Sequence, residues 1–78
     1  MWSDVPSYIQ LADQLRARIE SGEFQPHEPI PSIKRLQQEL GLAVGTIRKG
    51  IAILVDEGLV RPVSGRGTFV TVPEDRPR

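Results

Sequence analysis

The sequence predicts a small, mainly helical fold: three helices, then a hairpin that forms a two- or three-stranded antiparallel sheet. Three features carry this expectation. Apolar residues recur with three-and-four spacing in three separate stretches. A glycine divides the second stretch from the third at close range. Beyond Gly58 the spacing gives way to short β-branched and aromatic runs. The 78 residues make one domain the expectation, with no second lobe to close a cleft, and most enzyme architectures are larger than this. A chain this short buries only about 60 to 65% of its unfolded surface and has no cysteine to form disulfides, so its core has to be small and efficient.

In the first helix, Tyr8, Leu11, Ala12, Leu15 and Ile19 lie on one face. Pro6 suits a first turn, Ser3 or Asp4 is a candidate cap, and Ser21-Gly22 supplies the stop. Arg16 and Glu20 stand four apart and read as charges on a solvated face. Residues 23–31 hold Pro26, Pro29 and Pro31, which excludes helix and leaves an extended connector pinned to the core by Phe24 and Ile30. Ser32 has the chemistry of an N-cap for a second helix of about two turns, with Ile33, Leu36 and Leu40 as its stripe and Gly41 as its end. A left-handed Gly41 lets the next helix leave at the steep angle of a helix-turn-helix. That third helix, over residues 43–57, carries Ile47, Ile51, Leu54 and Val55 inward and stops at Glu57-Gly58. Leu59–Val63 and Thr68–Val72 then read as two strands around Ser64-Gly65-Arg66-Gly67, with Pro62 placing its strand at an edge. Residues 1–72 form the expected domain, and residues 73–78 a flexible tail or a linker cut short.

The 38% hydrophobic and 26% charged content is ordinary for a soluble globule, and no apolar run nears the ~18 to 20 residues of a membrane span. Met1-Trp2-Ser3-Asp4 opens no signal peptide, so a cytoplasmic protein without a membrane partner is expected. Ten basic and ten acidic residues cancel, but unevenly. Residues 1–30 set Arg16 and Arg18 against Asp4, Asp13, Glu20, Glu23 and Glu28, for net −3. Residues 31–66 set Lys34, Arg35, Arg48, Lys49, Arg61 and Arg66 against Glu39, Asp56 and Glu57, for net +3.

Catalysis finds little support. His27 is the only histidine and sits in the connector, no metal cluster or nucleophile triad can be drawn, and Asp56 and Glu57 read as solvated charges at a helix end. Gly65-Arg66-Gly67-Thr68 lacks the Lys-Ser/Thr pair and the strand-to-helix setting of a phosphate-binding loop. No enzyme, cofactor, metal or small-molecule ligand is expected within this chain. A helix-turn-helix instead places the first turns of its second helix in the major groove, with a basic hairpin along the backbone or minor groove beside it. With Ile47, Ile51 and Leu54 turned to the core, Gly45, Arg48, Lys49 and Ala52 face outward and Thr46 lies near the groove-facing end. Arg48 is the leading base reader, because its planar fork can give two hydrogen bonds to guanine. Lys49 is better suited to phosphate.

The chain resembles the winged helix-turn-helix DNA-binding domain of GntR-type bacterial transcription regulators over about residues 6–72. The resemblance rests on Tyr8-Ile9-Gln10-Leu11-Ala12, Ile19-Glu20-Ser21-Gly22-Glu23-Phe24-Gln25-Pro26, Ile30-Pro31-Ser32 and Leu40-Gly41-Leu42. It continues through Thr46-Ile47-Arg48-Lys49, Leu54-Val55-Asp56-Glu57-Gly58-Leu59-Val60 and Gly65-Arg66-Gly67-Thr68-Phe69-Val70. It implies a sequence-specific regulator, most often a repressor, on a palindromic operator. Residues 43–57 would lie in the major groove and residues 64–67 in the minor groove. By position it implies DNA contacts for Lys34, Thr46, Arg48 and Gly65. Ser32, Arg35, Val44, Gly45, Lys49, Ser64, Arg66 and Gly67 complete the expected interface, with Arg66 supplying the charge of the wing.

The departures matter too. Ala43-Val44 stands where the family usually has Ser-Arg or Thr-Arg, which removes a helix cap and one base-reading arginine, and Val44 can touch a thymine methyl instead. Lys34 replaces an arginine, with Arg35 beside it to take a phosphate, and Gln37 replaces a small residue. Gly45 and Gly50 each cost about 0.8 to 1 kcal/mol relative to alanine, which makes DNA the expected source of order in the first turn. Double-stranded DNA is the expected partner, bound as a homodimer formed on DNA or through a C-terminal region beyond this chain. Either these residues begin a longer regulator or they form a single-domain variant. The rival expectation, favoured by the zero net charge and the neutral Ala43-Val44-Gly45 entrance, is a winged-helix module that uses the same face for a protein partner.

Overall fold

The computed structural model describes residues 6–72. The order is α1 (Ser7–Glu20), α2 (Ile33–Leu40), α3 (Val44–Asp56), β1 (Val60–Val63) and β2 (Gly67–Val70), the expected winged helix-turn-helix. Helix α3 packs on α1, on α2 and on the start of β1, so it is the element that the others hold in place. Leu11 and Leu15 of α1, Leu36 of α2, Ile47 and Leu54 of α3, and Val60 and Val70 of the hairpin are fully buried. Ala12, Ile19 and Ile30 complete the core. No polar side chain is buried among the described residues, so apolar burial, worth about 1.5 to 3 kcal/mol per large side chain, is the main cohesive force.

The helix ends follow from local chemistry. The Ser32 hydroxyl accepts from the Arg35 N–H at 3.1 Å and caps α2. Gly41 closes α2 with φ 68°, and its N–H donates to the Gln37 carbonyl at 2.8 Å. Only residues 41–43 separate α2 from α3, and the left-handed turn is what reverses the chain in so short a link. Helices α1 and α3 end alike. The Gly22 and Glu23 N–H groups donate back to Ile19 and Arg18, and those of Gly58 and Leu59 to Val55 and Leu54. Helix α1 begins after Pro6 with no side-chain cap, and the candidate caps Ser3 and Asp4 lie outside the described residues, as does the tail 73–78.

The sheet has two strands, with Val60 opposite Val70 and Arg61 opposite Phe69. Both strands are shorter than their apolar runs. Leu59 joins the turn after α3, where its carbonyl accepts from the Thr71 N–H at 3.0 Å, while the Thr71 hydroxyl donates to the Gly58 carbonyl at 2.6 Å. The connector, not a third strand, covers the outer edge of β2. His27 and Ile30 donate to Val70 and Thr68, Val70 donates to Glu28, and Pro29 forms a single bridge with Phe69. Pro62 is thereby left on the free edge strand β1, where its missing donor costs nothing.

Three expectations change. Arg16 is not a free charge on a solvated face. It donates to Glu57 at 2.6 and 2.8 Å and also binds Asp13, tying α1 to the end of α3, so Glu57 is an ion-pair partner and not a free solvated charge. Leu40 is 38% exposed and drops out of the core stripe. Gly50 is no weak point of α3 but its contact with α1, since a Cβ there would lie 2.9 Å from Leu11 Cδ2 and 3.0 Å from the Tyr8 carbonyl oxygen. Gly45 has nothing within 4 Å of such a Cβ. Gly45→Ala is therefore expected to raise stability by about 0.5 to 1 kcal/mol through helix propensity alone. Gly50→Ala is expected to lower it by about 1 to 3 kcal/mol through overpacking. Urea unfolding of the two variants beside the wild type checks the contrast, and equal shifts would show that Gly50 is not a packing constraint. Ser32→Ala, measured the same way, is expected to cost about 1 kcal/mol.

Candidate nucleic-acid interface

A 3.6-residue period divides α3 into two faces. Ile47, Gly50 and Leu54 are buried, whereas Val44, Gly45, Arg48, Lys49 and Ala52 are exposed and Thr46 is half-buried. The outward set is the one expected, and the apolar stripe selects it, since every inward position is occupied by a core residue or by the α1 contact. The Ala43 N-cap makes no side-chain hydrogen bond, and Val44 leads the helix into solvent at 37% exposure. The first turn of α3 thus presents a short neutral patch, followed one turn on by Arg48.

Helix α2 contributes Lys34 and Arg35, both exposed. Arg35 Nε donates to Glu39 at 2.9 Å, an exposed pair four residues apart that is worth only about 0.3 to 0.5 kcal/mol and gives way readily to a stronger anion. Ser32 is exposed but commits its oxygen to the cap. The wing places Ser64, Gly65, Arg66 and Gly67 at the end of the hairpin, all exposed. Gly65 and Gly67 have φ 75° and 118°, and the Arg66 N–H donates to the Val63 carbonyl at 2.9 Å. No side chain projects from the two glycines, so only Ser64 and Arg66 shape the tip.

Two residues outside the expected set adjoin it. Tyr8, read from its spacing as a core residue, is half-buried, and Lys49 Nζ stands 5.6 Å from the centre of its ring. Arg61 projects from β1 opposite Phe69 and lines, with His27, Val63 and Arg66, a groove on the outer face of the hairpin. Period-two alternation along β1 would have turned Arg61 outward. No local signal links Lys49 to Tyr8.

The charges divide by partner. Arg16 is bound to Glu57 and Asp13, whose hydrogen bonds hold its guanidinium above the usual arginine range. Arg18 is bound to Glu23 at 2.6 Å and lies 4.7 Å from the centre of the Phe24 ring. Its hydrogen bond raises Arg18 and draws Glu23 below the usual carboxylate range. Among the described residues Lys34, Arg48, Lys49, Arg61 and Arg66 have no carboxylate partner. The cations of α1 are neutralised locally, while those of α2, α3 and the wing remain available, except Arg35. The described residues contain no group of three metal-ligating side chains, and none of their helices is long and apolar enough to cross a membrane.

Comparison with known proteins identifies the family and the fold. The sequence profile of the family described as "Bacterial regulatory proteins, gntR family" matches residues 7–70. The HTH-type transcriptional repressor NagR of Bacillus subtilis (strain 168) is 40% identical over 72 residues, covering 92% of this chain and 30% of NagR. The mannosyl-D-glycerate transport/metabolism system repressor MngR of Escherichia coli (strain K12) is 35% identical over 65 residues, covering 83% of this chain and 27% of MngR. The chain therefore spans less than a third of the length of these relatives. AraR(DBD), solved in complex with operator ORR3, superposes with a TM-score of 0.82 at 39% identity over 85% of this chain and 80% of that one. YtrA from Sulfolobus acidocaldarius, a GntR-family transcription factor, superposes with a TM-score of 0.78 at 38% identity over 87% of this chain and 71% of that one. With its profile match, its repressor relatives and its three-helix fold with a hairpin wing in agreement, the chain belongs to the gntR family of bacterial regulatory proteins.

Proposed function

We propose that this chain is the operator-binding part of a transcriptional repressor. Its α3 enters the major groove, and the wing tip at residues 64–67 lies in the adjacent minor groove. The observation that carries this reading is the division of the cations. The arginines of α1 are held by carboxylates, whereas Lys34, Arg48, Lys49 and Arg66 lie exposed on α2, the outer face of α3 and the wing with no carboxylate partner among the described residues. A surface meant for a neutral protein partner gains nothing from so many unpaired cations, whereas a phosphate backbone releases counterions for each one it meets. The repressor relatives and the operator-bound AraR(DBD) support the same choice over a protein-interaction module.

Arg48 then reads a guanine edge through its fork, with Thr46 beside it. Lys34, Lys49, Ser32 and Arg35 contact phosphates, the last by exchanging Glu39 for the stronger anion. Gly65 and Gly67 let the wing backbone approach the minor-groove wall, and Arg66 supplies its charge. One copy neutralises about two to four phosphates, so tight binding takes two copies on the half-sites of a palindrome. The reaction is binding alone, without catalysis, and it takes place in the cytoplasm.

Fluorescence anisotropy against a duplex selected from a randomised library and against a scrambled duplex, at two salt concentrations, tests the reading. The expected result is preference for the selected palindrome and a log–log salt slope of about −2 to −4 per copy. Absence of both, from a folded chain, overturns it. Arg48→Ala is expected to lose about 1 to 3 kcal/mol on the selected duplex and little on the scrambled one. Arg66→Ala is expected to weaken both alike and to reduce the salt slope by about 1. Equal losses on the two duplexes for Arg48→Ala would refute its base-reading role.

A further inference from the structure

Val44 is an exposed large apolar side chain in an unusual place. It stands at 37% exposure in the first turn of α3, one turn before Arg48 on the same face of the helix. Nothing in the core requires valine there, and helix propensity disfavours it relative to alanine. Gly45 follows it with open space where a Cβ would stand, so position 45 itself adds no side chain between the first turn of α3 and a facing surface.

We propose that Val44 determines part of the operator sequence by packing on the 5-methyl group of a thymine. This deepens the DNA-binding reading above and rests on it. The major-groove edges of the four base pairs are mainly hydrogen-bond donors and acceptors, and the thymine C5-methyl is their one bulky apolar group, cytosine presenting only a C–H at the same position. An apolar side chain pressed against any other edge takes water from polar groups and returns no hydrogen bond, which is unfavourable. Against the methyl it buries two apolar groups at once. Val44 thus discriminates in both directions, favouring the methylated pyrimidine and penalising the bare polar edges.

The geometry also limits which thymine is read. Val44 and Arg48 are four residues apart, so they lie on one face and are separated by about 6 Å along the helix axis. Base pairs rise about 3.4 Å per step. The thymine therefore lies one or two steps from the guanine that Arg48 contacts. In the reading above Lys34, Arg35 and Lys49 hold the phosphates, and Val44 itself carries no charge that would bind the backbone without regard to sequence. Because 5-methylcytosine carries the same methyl at the same ring position, the site also accepts a methylated cytosine in place of the thymine, and binding there responds to cytosine methylation.

The test uses the library-selected duplex with each thymine replaced in turn by deoxyuridine, which removes the methyl and leaves every hydrogen-bonding group in place. Wild-type chain is expected to lose about fourfold in affinity at one thymine per half-site, within two steps of the guanine at which Arg48→Ala loses discrimination. That is the worth of one buried methyl group. Cytosine at that position is expected to bind more weakly than 5-methylcytosine by a similar factor. Val44→Ala, which is exposed and gains helix propensity, keeps the fold and is expected to bind the thymine and deoxyuridine duplexes alike. If wild type prefers the selected duplex to the scrambled one yet ignores every methyl, the inference fails and the DNA-binding reading stands. Methyl sensitivity that survives in Val44→Ala assigns the contact to another residue and overturns the inference. Failure to select any duplex removes the DNA-binding reading and this inference together.

Discussion

The close crossing of α1 and α3 at Gly50 is the constraint on which the rest of the structure depends. Absence of a side chain at that one position lets the α3 backbone approach Leu11 and the Tyr8 carbonyl. Ile47 and Leu54 are buried on either side of it. Those three inward positions set the rotation of the helix about its own axis, and the helical period then leaves Val44, Arg48, Lys49 and Ala52 outside. A rotation that brought Arg48 to the place of Ile47 would turn it into the core, where an unpaired guanidinium is prohibitively costly. The Arg16–Glu57 pair at the far end of α3 adds a second tie. At 27% exposure for Arg16 it remains a minor one beside the apolar contacts, since partly exposed ion pairs contribute about 1 kcal/mol or less and each buried leucine more.

Capping and connectivity then fix what surrounds α3. The Ser32 cap and the left-handed Gly41 determine where α2 begins and ends, so Lys34 and Arg35 fall in its first turn and α3 starts after a link of only three residues. The turn after Gly58, locked by Thr71, sends the chain directly into the hairpin, and the connector pairs with the outer edge of β2. The wing is held from both sides although it has only two strands. Two short strands alone are marginal in water, and here the helices cover one face while the connector supplies hydrogen bonds to one edge.

The formal net charge of zero illustrates how a global average can mislead. Acidic residues near α1 are consumed in binding Arg16 and Arg18, and what remains on α2, α3 and the wing is predominantly positive. What matters for a polyanionic partner is the charge that is both exposed and unpaired, and pairing is decided in three dimensions.

Much of this was legible from residues alone, because the relevant physics is local. The three apolar stripes, the Ser32 cap, the stops at Gly22, Gly41 and Gly58 and the tight loop at Ser64–Gly67 each depend on a few neighbouring residues. The resemblance to GntR-type regulators added the residues through which such a fold is expected to meet DNA. Other features were not legible. Gly50 read as a helix-weakening residue, Arg16 as a charge on a solvated face, Tyr8 as core and residues 23–31 as a connector pinned by Phe24 and Ile30 but without a strand to pair with. Each of these depends on a residue far away in sequence: Leu11 for Gly50, Glu57 for Arg16, Lys49 for Tyr8, and Thr68 and Val70 for the connector. The sequence by itself determined the elements, their ends and the face of each helix that is buried, since backbone propensity and apolar periodicity act over one or two turns. Only the tertiary structure decided which elements touch, how closely, and which cations are left without a carboxylate, since those outcomes depend on distances between segments that the linear order does not contain.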